Sequence, residues 1–346
     1  MSESEYSALL SNLSPRHKSN DQVEISISSF TKAKDKHIVY KITGKDPTGS
    51  FETHRRYNDF LLVRSMLASQ WPGCYIPKLP PKKRIGNLTE EFIDKRMRLL
   101  GNFLQKTSGI LHLYQTQSFQ MFIRNPGTYD TLVKTLKPLT NMDMYLNFKE
   151  NFPIEGNFDY SDETSIYVSQ MIHYLKNSLE KIKKLKSLAK KNINNFHNMK
   201  FFLCKLMAGI KELSPVFKGS AEVTFNVKRK RYQMFQVLLD WTRSEILDIE
   251  AMIEGIHRMQ EITESFKIKE DQSLKNLLED NIESNQIKFQ IVTMVQHRLV
   301  LYEIPRFREQ KAIKWQNVLK SFIHTSELEM KNVEDIVLEI DKNFNS

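Results

Sequence analysis

From residue 157 to residue 346 the chain carries only three glycines (Gly209, Gly219, Gly255) and two prolines (Pro215, Pro305), whereas residues 1–130 hold seven of the 11 Gly and seven of the 11 Pro. Glycine and proline are the residues that let a chain reverse, so a stretch this long and nearly free of them has few places to turn. Its apolar residues step by threes and fours: Val168, Met171, Leu175, Leu179, Ile182, Leu185; then Ile249, Met252, Ile256, Met259, Ile262, Phe266; then Val292, Val295, Leu299, Tyr302, Trp315, Val318, Phe322. That period is helical and predicts three long helices, at about 160–213, 222–266 and 272–342. The first would be roughly 80 Å long at 1.5 Å per residue. A helix with a single apolar stripe is not stable alone, so it must pack on its neighbours and on a second chain. Pro305 removes one backbone donor and should bend the third helix.

The first part reads differently. Val23, Ile25 and Ile27 alternate with polar residues, as do Ile38, Tyr40 and Ile42, which predicts two half-buried strands. Asp46-Pro47-Thr48-Gly49 is a turn, and a third strand follows through Phe51–Tyr57. An amphipathic helix is expected from Asn58 to Gln70, ended by Trp71-Pro72-Gly73. An extended, proline-locked run follows from Tyr75 to Arg84. Further helices are expected from about Thr89, a candidate N-cap, to Lys106, and from His112 to Arg124. Three strands and then helices make an α+β domain of about 105 residues. The stretch 125–157, with Pro126, Gly127, Pro138, Pro153 and Gly156, reads as a connector.

Several function classes lose support at this level. The chain has no GxGxxG after a strand, no GxxxxGK[ST], no GxSxG, no HExxH and no CxxC. Its nine histidines are scattered, with no pair at i, i+4. Cys74 has no His or acid near it in sequence and reads as a small core residue. The residue patterns therefore point to no enzyme, no metal and no cofactor. With only Cys74 and Cys204 there is no disulfide framework, and the polar N-terminus lacks the apolar segment of a secretory signal, so a cytosolic compartment is expected. No apolar run approaches the 18 or so residues that span a bilayer. A net charge of +10 calls for an anionic partner: nucleic acid, anionic lipid or an acidic protein.

Half of that excess lies in residues 52–100, with ten Lys and Arg against five Asp and Glu. His54-Arg55-Arg56-Tyr57-Asn58-Asp59-Phe60 puts two arginines beside a tyrosine at a strand-to-helix junction. A planar guanidinium takes phosphate through paired hydrogen bonds, and an aromatic face covers the apolar side of a ring. The alternative is a surface arginine pair beside a core tyrosine. Leu79-Pro80-Pro81-Lys82-Lys83-Arg84 presents three cations from a stiff loop, or is simply a solvated basic loop or a proline-rich ligand. Phe92–Leu104 is a helix with Arg96 set off from its apolar face.

In this order and spacing the three features resemble the phox-homology (PX) domain, the phosphoinositide-binding module of sorting nexins. The resemblance covers the R-R-Y-x-D-F element, the proline loop ending in lysines and the F-I-x-x-R-x-x-x-L-x-x-F-L helix. It implies that Arg56 holds the 3-phosphate of a phosphoinositide, most simply phosphatidylinositol 3-phosphate. Tyr57 would pack under the inositol ring, Lys82 would hold the 1-phosphate and Arg96 the 4- and 5-hydroxyls. It also implies that Ile85 and Leu88 dip into the bilayer, unless they pack back onto the domain.

The helical part resembles a Bin/amphiphysin/Rvs (BAR) domain. The resemblance as a whole implies an α+β PX domain with a three-stranded antiparallel sheet, followed by an all-α three-helix BAR domain forming an antiparallel dimer. The expected division is a disordered tail at 1–19, a PX domain at 20–126, a linker at 127–157 and a BAR domain at 158–346. In the linker, Tyr129, Leu132, Val133, Leu136 and Leu139 alternate with Lys134 and Lys137. They suggest a short amphipathic helix, which either lies among lipid headgroups or straps onto the BAR helices.

Charge is segregated along the helices. Residues 176–231 hold 15 Lys and Arg against three Asp and Glu, and residues 232–286 hold five against twelve. One face is thus expected to meet an anionic surface. Its candidates are Lys181, Lys183, Lys184, Lys186, Lys190, Lys191, Lys228, Arg229, Lys230 and Arg231; the alternative for each is a merely exposed cation. The function this resemblance implies is that of a sorting nexin. It would be peripheral on the cytosolic face of early endosomes, binding phosphoinositide membrane and sensing or making curvature. It would act as a homodimer, or as a heterodimer with a related nexin, with retromer-like or cargo partners unnamed. The rival readings are a nucleic-acid-binding coiled-coil protein and a coiled-coil adaptor that does not curve membranes.

Overall fold

The structure, a computed structural model, describes residues 23–32, 38–82, 89–154, 158, 160–218, 234–273 and 280–345. The tail at 1–19, Ile85, Leu88 and the cluster Lys228, Arg229, Lys230 and Arg231 lie outside these residues. Three antiparallel strands in the order β1 (Glu24–Lys32), β2 (Ile38–Asp46) and β3 (Gly49–Arg56) form the sheet. Its inner face follows the period of two: Ile38, Tyr40 and Ile42 on β2 and Phe51, Thr53 and Arg55 on β3 are buried. A bulge interrupts β1 between Ile27 and Ser29. The hairpin closes at Asp46, whose carboxylate accepts from the Thr48 N–H at 2.9 Å and hydroxyl at 2.7 Å, while Gly49 takes φ +125°.

Helix α1 (Tyr57–Gln70) leaves the last strand directly. Asp59 accepts the Arg56 N–H at 2.8 Å and places a negative charge at the helix N-terminus. Its buried face, Phe60, Val63, Leu67 and Ala68, covers the sheet. Phe60 sits at the centre of the core, with Tyr40, Phe103 and Phe122 at 6.3, 6.1 and 4.9 Å in edge-to-face geometry. The remaining helices of this region are α2 (Glu90–Ser108), α3 (Leu111–Tyr114) and α4 (Gln117–Arg124). The single helix expected over 112–124 is thus two, with Thr116 at the break, where its hydroxyl donates to the His112 carbonyl at 2.8 Å.

The connector is folded. Helix α5 (Tyr129–Val133) is one turn and a half and does not reach residue 139 as the amphipathic pattern predicted. Pro138 is the reason: it disfavours helical backbone at the residue before it, and the chain leaves α5 through i, i+3 turns at Thr135 and Leu136. Tyr129 is fully buried, its hydroxyl donating to the Ser118 carbonyl at 2.9 Å. Helix α6 (Asn141–Asn151), capped by Thr140 and Asp143, then sets Phe148 and Phe152 against Trp71 at 5.4 and 5.5 Å.

Three long helical segments complete the chain: α7 (Asp162–Lys218), α8 (Met234–Ser273), and α9 (Asp280–Arg298) continuing into α10 (Ile304–Asn345). Where Pro305 was expected to bend the last of these, the helix widens into a π turn over Leu299–Glu303. The Ile304 N–H there donates to the Leu299 carbonyl five residues back. The looser turn relieves the crowding of the proline ring against the preceding turn.

Backbone contacts group the chain into two units, 1–176 with 247–308, and 177–246 with 309–346. In the first, α6 lies along α9, and the Trp71–Cys74 turn docks between α8 and α9. A Cβ on Gly255 would stand 3.0 Å from the Cys74 carbonyl, and one on Gly73 would stand 2.6 Å from a Val295 methyl. In the second, Trp241 packs on Trp315 at 4.8 Å and Phe235 on Phe322 at 6.0 Å, with Lys311 on Glu245 at 3.0 Å.

Candidate functional site

The two adjacent arginines of the junction part company. On a strand neighbouring side chains face opposite ways, and Arg55 shares its face with Phe51 and Thr53. It is 1% exposed. Its guanidinium donates to the carbonyls of Phe122 (2.8 Å), His54 (2.8 Å), Gly127 (3.1 Å), Met121 (3.3 Å) and Asn125 (2.5 Å). No donor capacity remains for a ligand, so Arg55 is a structural clamp on the C-terminal end of α4. Arg56 is the half-exposed member. Its side chain touches protein through Asp59, Nε to Oδ1 at 3.3 Å.

Tyr57 opens α1 and is mostly buried. Its hydroxyl donates to the Pro80 carbonyl, which ties the proline loop to the helix start. Burial raises its phenol above the ordinary value, against the opposing pull of the Arg96 charge. Arg96 comes from α2 and lies between two rings, its guanidinium carbon 4.4 Å from the Tyr57 centroid and 4.3 Å from that of Phe92. It is 6% exposed, yet Nε and Nη2 find no hydrogen-bond partner among the described residues. A buried guanidinium with idle donors is costly unless an acceptor joins it. Tyr40 completes this wall. Burial raises its phenol, and the charge of Arg96 works in the opposite direction.

The run Tyr75–Pro80 is buried apart from Lys78, and the chain emerges at Pro81 and Lys82. Lys82 is exposed, with Nζ 3.4 Å from the Asn58 carbonyl oxygen of the side chain. Tyr57, Arg96 and Lys82 are therefore gathered around the N-terminus of α1, with Arg56 directly before it. Sequence reading placed Tyr40 on a strand without giving it a part in the site and assigned Asn58, which meets Lys82, no ligand role. Phe92 was read only as part of the helix, although its i, i+4 spacing could have paired it with Arg96.

Of the basic-face candidates, Lys181, Lys183, Lys184, Lys190 and Lys191 are exposed on α7, and Lys186 is half-buried. Elsewhere, Cys74, His112 and Glu303 bring one ligand-type atom each within 4.8 Å, all buried. The chemistry does not suit a metal. Glu303 already meets Arg298 at 2.7 Å and Arg306 at 2.6 Å. Burial, then the Glu303 charge, pushes the Cys74 thiol up, away from the thiolate a metal or a nucleophile needs.

With this geometry in view, comparison with known proteins is informative. Residues 44–126 match the PX domain family. The vacuolar protein sorting-associated protein vps5 of Schizosaccharomyces pombe is 29% identical over 161 residues, 41% of this chain and 27% of that protein. Sorting nexin MVP1 of Candida albicans is 34% identical over 120 residues, 33% of this chain and 16% of its own. Sorting nexin-4 of Saccharomyces cerevisiae is 36% identical over 83 residues, 22% of this chain and 20% of its own. The matches thus span about a quarter or less of these relatives' lengths. A cryo-EM structure of the SNX-BAR Mvp1 tetramer aligns over 90% of this chain and 99% of that one, with TM-score 0.57 and 15% identity. That likeness is one of fold: a PX domain followed by a helical BAR segment.

Proposed function

We propose that the chain is a PX-BAR sorting nexin, a non-enzymatic adaptor of endosomal protein sorting whose PX pocket reads the headgroup of phosphatidylinositol 3-phosphate. The observation that carries this reading is Arg96: a cation held between two aromatic rings, nearly out of solvent, with two donors unused by the described residues. Lys82 and Arg56 stand at the same helix N-terminus, where the macrodipole also favours an anion. In this assignment Arg56 takes the 3-phosphate, Lys82 the 1-phosphate and Arg96 the 4- and 5-hydroxyls. Tyr57 lines the ring and, through Pro80, sets the loop. Each charge-assisted bond contributes roughly 1.5–3 kcal/mol.

The helical part serves avidity and curvature. Tyr174, Leu188, Phe201 and Phe202 on α7 and Ile313, Ile323, Met330 and Leu338 on α10 are exposed apolar residues, which supports pairing with a second copy or a related nexin. Two pockets on one membrane raise apparent affinity by roughly 10²–10⁴. The exposed lysines Lys181, Lys183, Lys184, Lys190 and Lys191 add about 1 kcal/mol each near an acidic leaflet. The working site is the cytosolic face of early endosomes. Vesicle flotation across the phosphoinositide series tests the pocket. Arg56→Ala and Arg96→Gln are expected to lose binding to the 3-phosphate lipid while leaving the assembly state unchanged. Unchanged flotation of both variants would refute the assignment.

A further inference from the structure

The loop that delivers Lys82 is held at both ends. At one end the Tyr57 hydroxyl grips Pro80. At the other, Arg64 on α1 donates Nε to the Pro77 carbonyl at 2.9 Å. The rest of that guanidinium forks onto Glu254 of α8, Nη1 to Oε1 at 3.1 Å and Nη2 to Oε2 at 2.7 Å. Arg64 is thus one rigid plane with the loop on one edge and a helix 190 residues away on the other. Lys78, inside the loop, reaches the same helix at Glu250 (3.2 Å) and Glu254 (4.0 Å), and Arg258 steadies Glu254 from the next turn at 2.5 Å. Gly255 leaves room for this approach, since a Cβ there would meet the Cys74 carbonyl.

Between Pro77 and Lys82 stand Pro80 and Pro81. Their fixed φ angles transmit a displacement at Pro77 rather than absorbing it. We propose that Glu254 is a positioning residue for the headgroup site: through Arg64 and the 77–82 loop, helix α8 sets where Lys82 stands, and so sets the affinity of the PX pocket. The inference rests on the pocket reading above and deepens it. The coupling is reciprocal, so headgroup binding also tightens the hold of the loop on α8. A PX domain cut away from its helices would then bind more weakly than the same domain in the full chain.

The test uses the full chain and two probes: soluble inositol 1,3-bisphosphate, followed by calorimetry, and phosphatidylserine vesicles lacking phosphoinositide. Glu254→Gln weakens the fork while keeping its shape. Arg64→Lys keeps a charge beside Glu254 but offers one ammonium, which cannot hold the Pro77 carbonyl and both Glu254 oxygens in a plane. Each is expected to weaken the soluble headgroup about tenfold, within the usual range of site-to-site coupling, and to leave phosphatidylserine binding unchanged. Lys106→Gln is the control. Lys106 pairs with Asp248 on the same helix and takes no part in the Arg64–Glu254 fork, so its loss affects docking while leaving that fork whole. It should keep wild-type headgroup affinity. Wild-type affinity in both Glu254→Gln and Arg64→Lys overturns the proposal, as does an equal loss in Lys106→Gln, which would reduce the contact to general docking. If the wild-type chain takes up no headgroup and Arg56→Ala changes nothing, the pocket reading fails first and this inference falls with it.

Discussion

Arg55 and Arg56 are adjacent and chemically identical, and the structure gives them opposite work, which a pair of substitutions separates. Four of the five carbonyls that Arg55 holds belong to residues 121–127, the end of α4 and the turn after it; Met121 also accepts the Asn125 N–H, whereas Phe122 stands four residues before Pro126, which has no N–H to give. Lysine offers three protons from one nitrogen, so Arg55→Lys takes the bond from at least two of the five acceptors and leaves at least one of them bare in a buried site. At about 1–3 kcal/mol for each orphaned acceptor, one or two of them cost about 1–6 kcal/mol. Arg55→Ala leaves more of them bare and should cost at least as much. Arg56→Ala removes one half-exposed contact to Asp59, an interaction in the range of exposed pairs, and should stay within about 0.5 kcal/mol of wild type. A chain with two compact units is not expected to unfold in one step, so the local measurement is amide hydrogen exchange over residues 38–56 and 117–124. Protection there should drop roughly fivefold or more in Arg55→Lys and stay level in Arg56→Ala. Headgroup binding should show the reverse ranking once folded fractions are matched. Undiminished protection in Arg55→Lys, or an equal drop in Arg56→Ala, refutes the division of labour.

Gly73→Val should cost more than about 2 kcal/mol, because Gly73 holds φ +76° and a Cβ there would sit 2.6 Å from a Val295 methyl; a melting temperature equal to wild type would contradict this. Phe60→Ala empties the centre of the aromatic core and should cost about 3–5 kcal/mol by chemical unfolding. Acid should loosen the docking of α8. Burial alone would raise the Glu254 carboxyl, but the hydrogen bond and charge of Arg64, then Arg258 and Lys78, hold it below its ordinary 4.5. A depressed carboxyl gives stability that is complete above the unfolded value and is lost as pH falls through the lower folded value. Hydrogen exchange at 75–80 and 247–258 should therefore be flat from neutral pH down to about 5 and rise below the ordinary carboxylate range. Glu254→Gln should abolish that acid-dependent part.

What could be read from the sequence was what local periodicity encodes. Ile38, Tyr40 and Ile42 declared a strand, and the near absence of Gly and Pro after residue 157 declared long helices. The burial of Arg55 was also encoded, since Phe51, Thr53 and Arg55 share a face, but a fully buried arginine is rare enough that the pair reads as surface. The helix at 141–151 announced itself only by Thr140 and Asp143 three residues apart, a small signal beside the prolines that mark a connector. The amphipathic pattern over 129–139 was real, and Pro138 overrode it. Of the proposed headgroup site, Arg56, Tyr57, Lys82 and Arg96 were legible as residue types. That Tyr57 closes over Arg96, and that Arg64 reaches Glu254, was not, because no local rule pairs residues so far apart in the chain.

The segregated charge of the helices follows from the same contacts. Part of the acidic stretch after residue 232 is spent inside the protein: Glu245 on Lys311, Asp248 on Lys106 and the Tyr75 hydroxyl, Glu250 on Lys78, Glu254 on Arg64 and Arg258. Three of those cations, Arg64, Lys78 and Lys106, belong to the PX domain, so its own excess of charge is partly neutralised by α8. Lys181, Lys183, Lys184, Lys190 and Lys191 on α7 have no such carboxylate partner among the described residues. Internal pairing removes positive charge where the PX domain is docked and leaves it at Lys82 and along α7. Substituting the acidic residues of α8 should therefore weaken the docked PX domain more than it strengthens general attraction to anionic vesicles. Substituting the α7 lysines should do the opposite, reducing vesicle binding with a shallower salt dependence and leaving soluble headgroup affinity untouched.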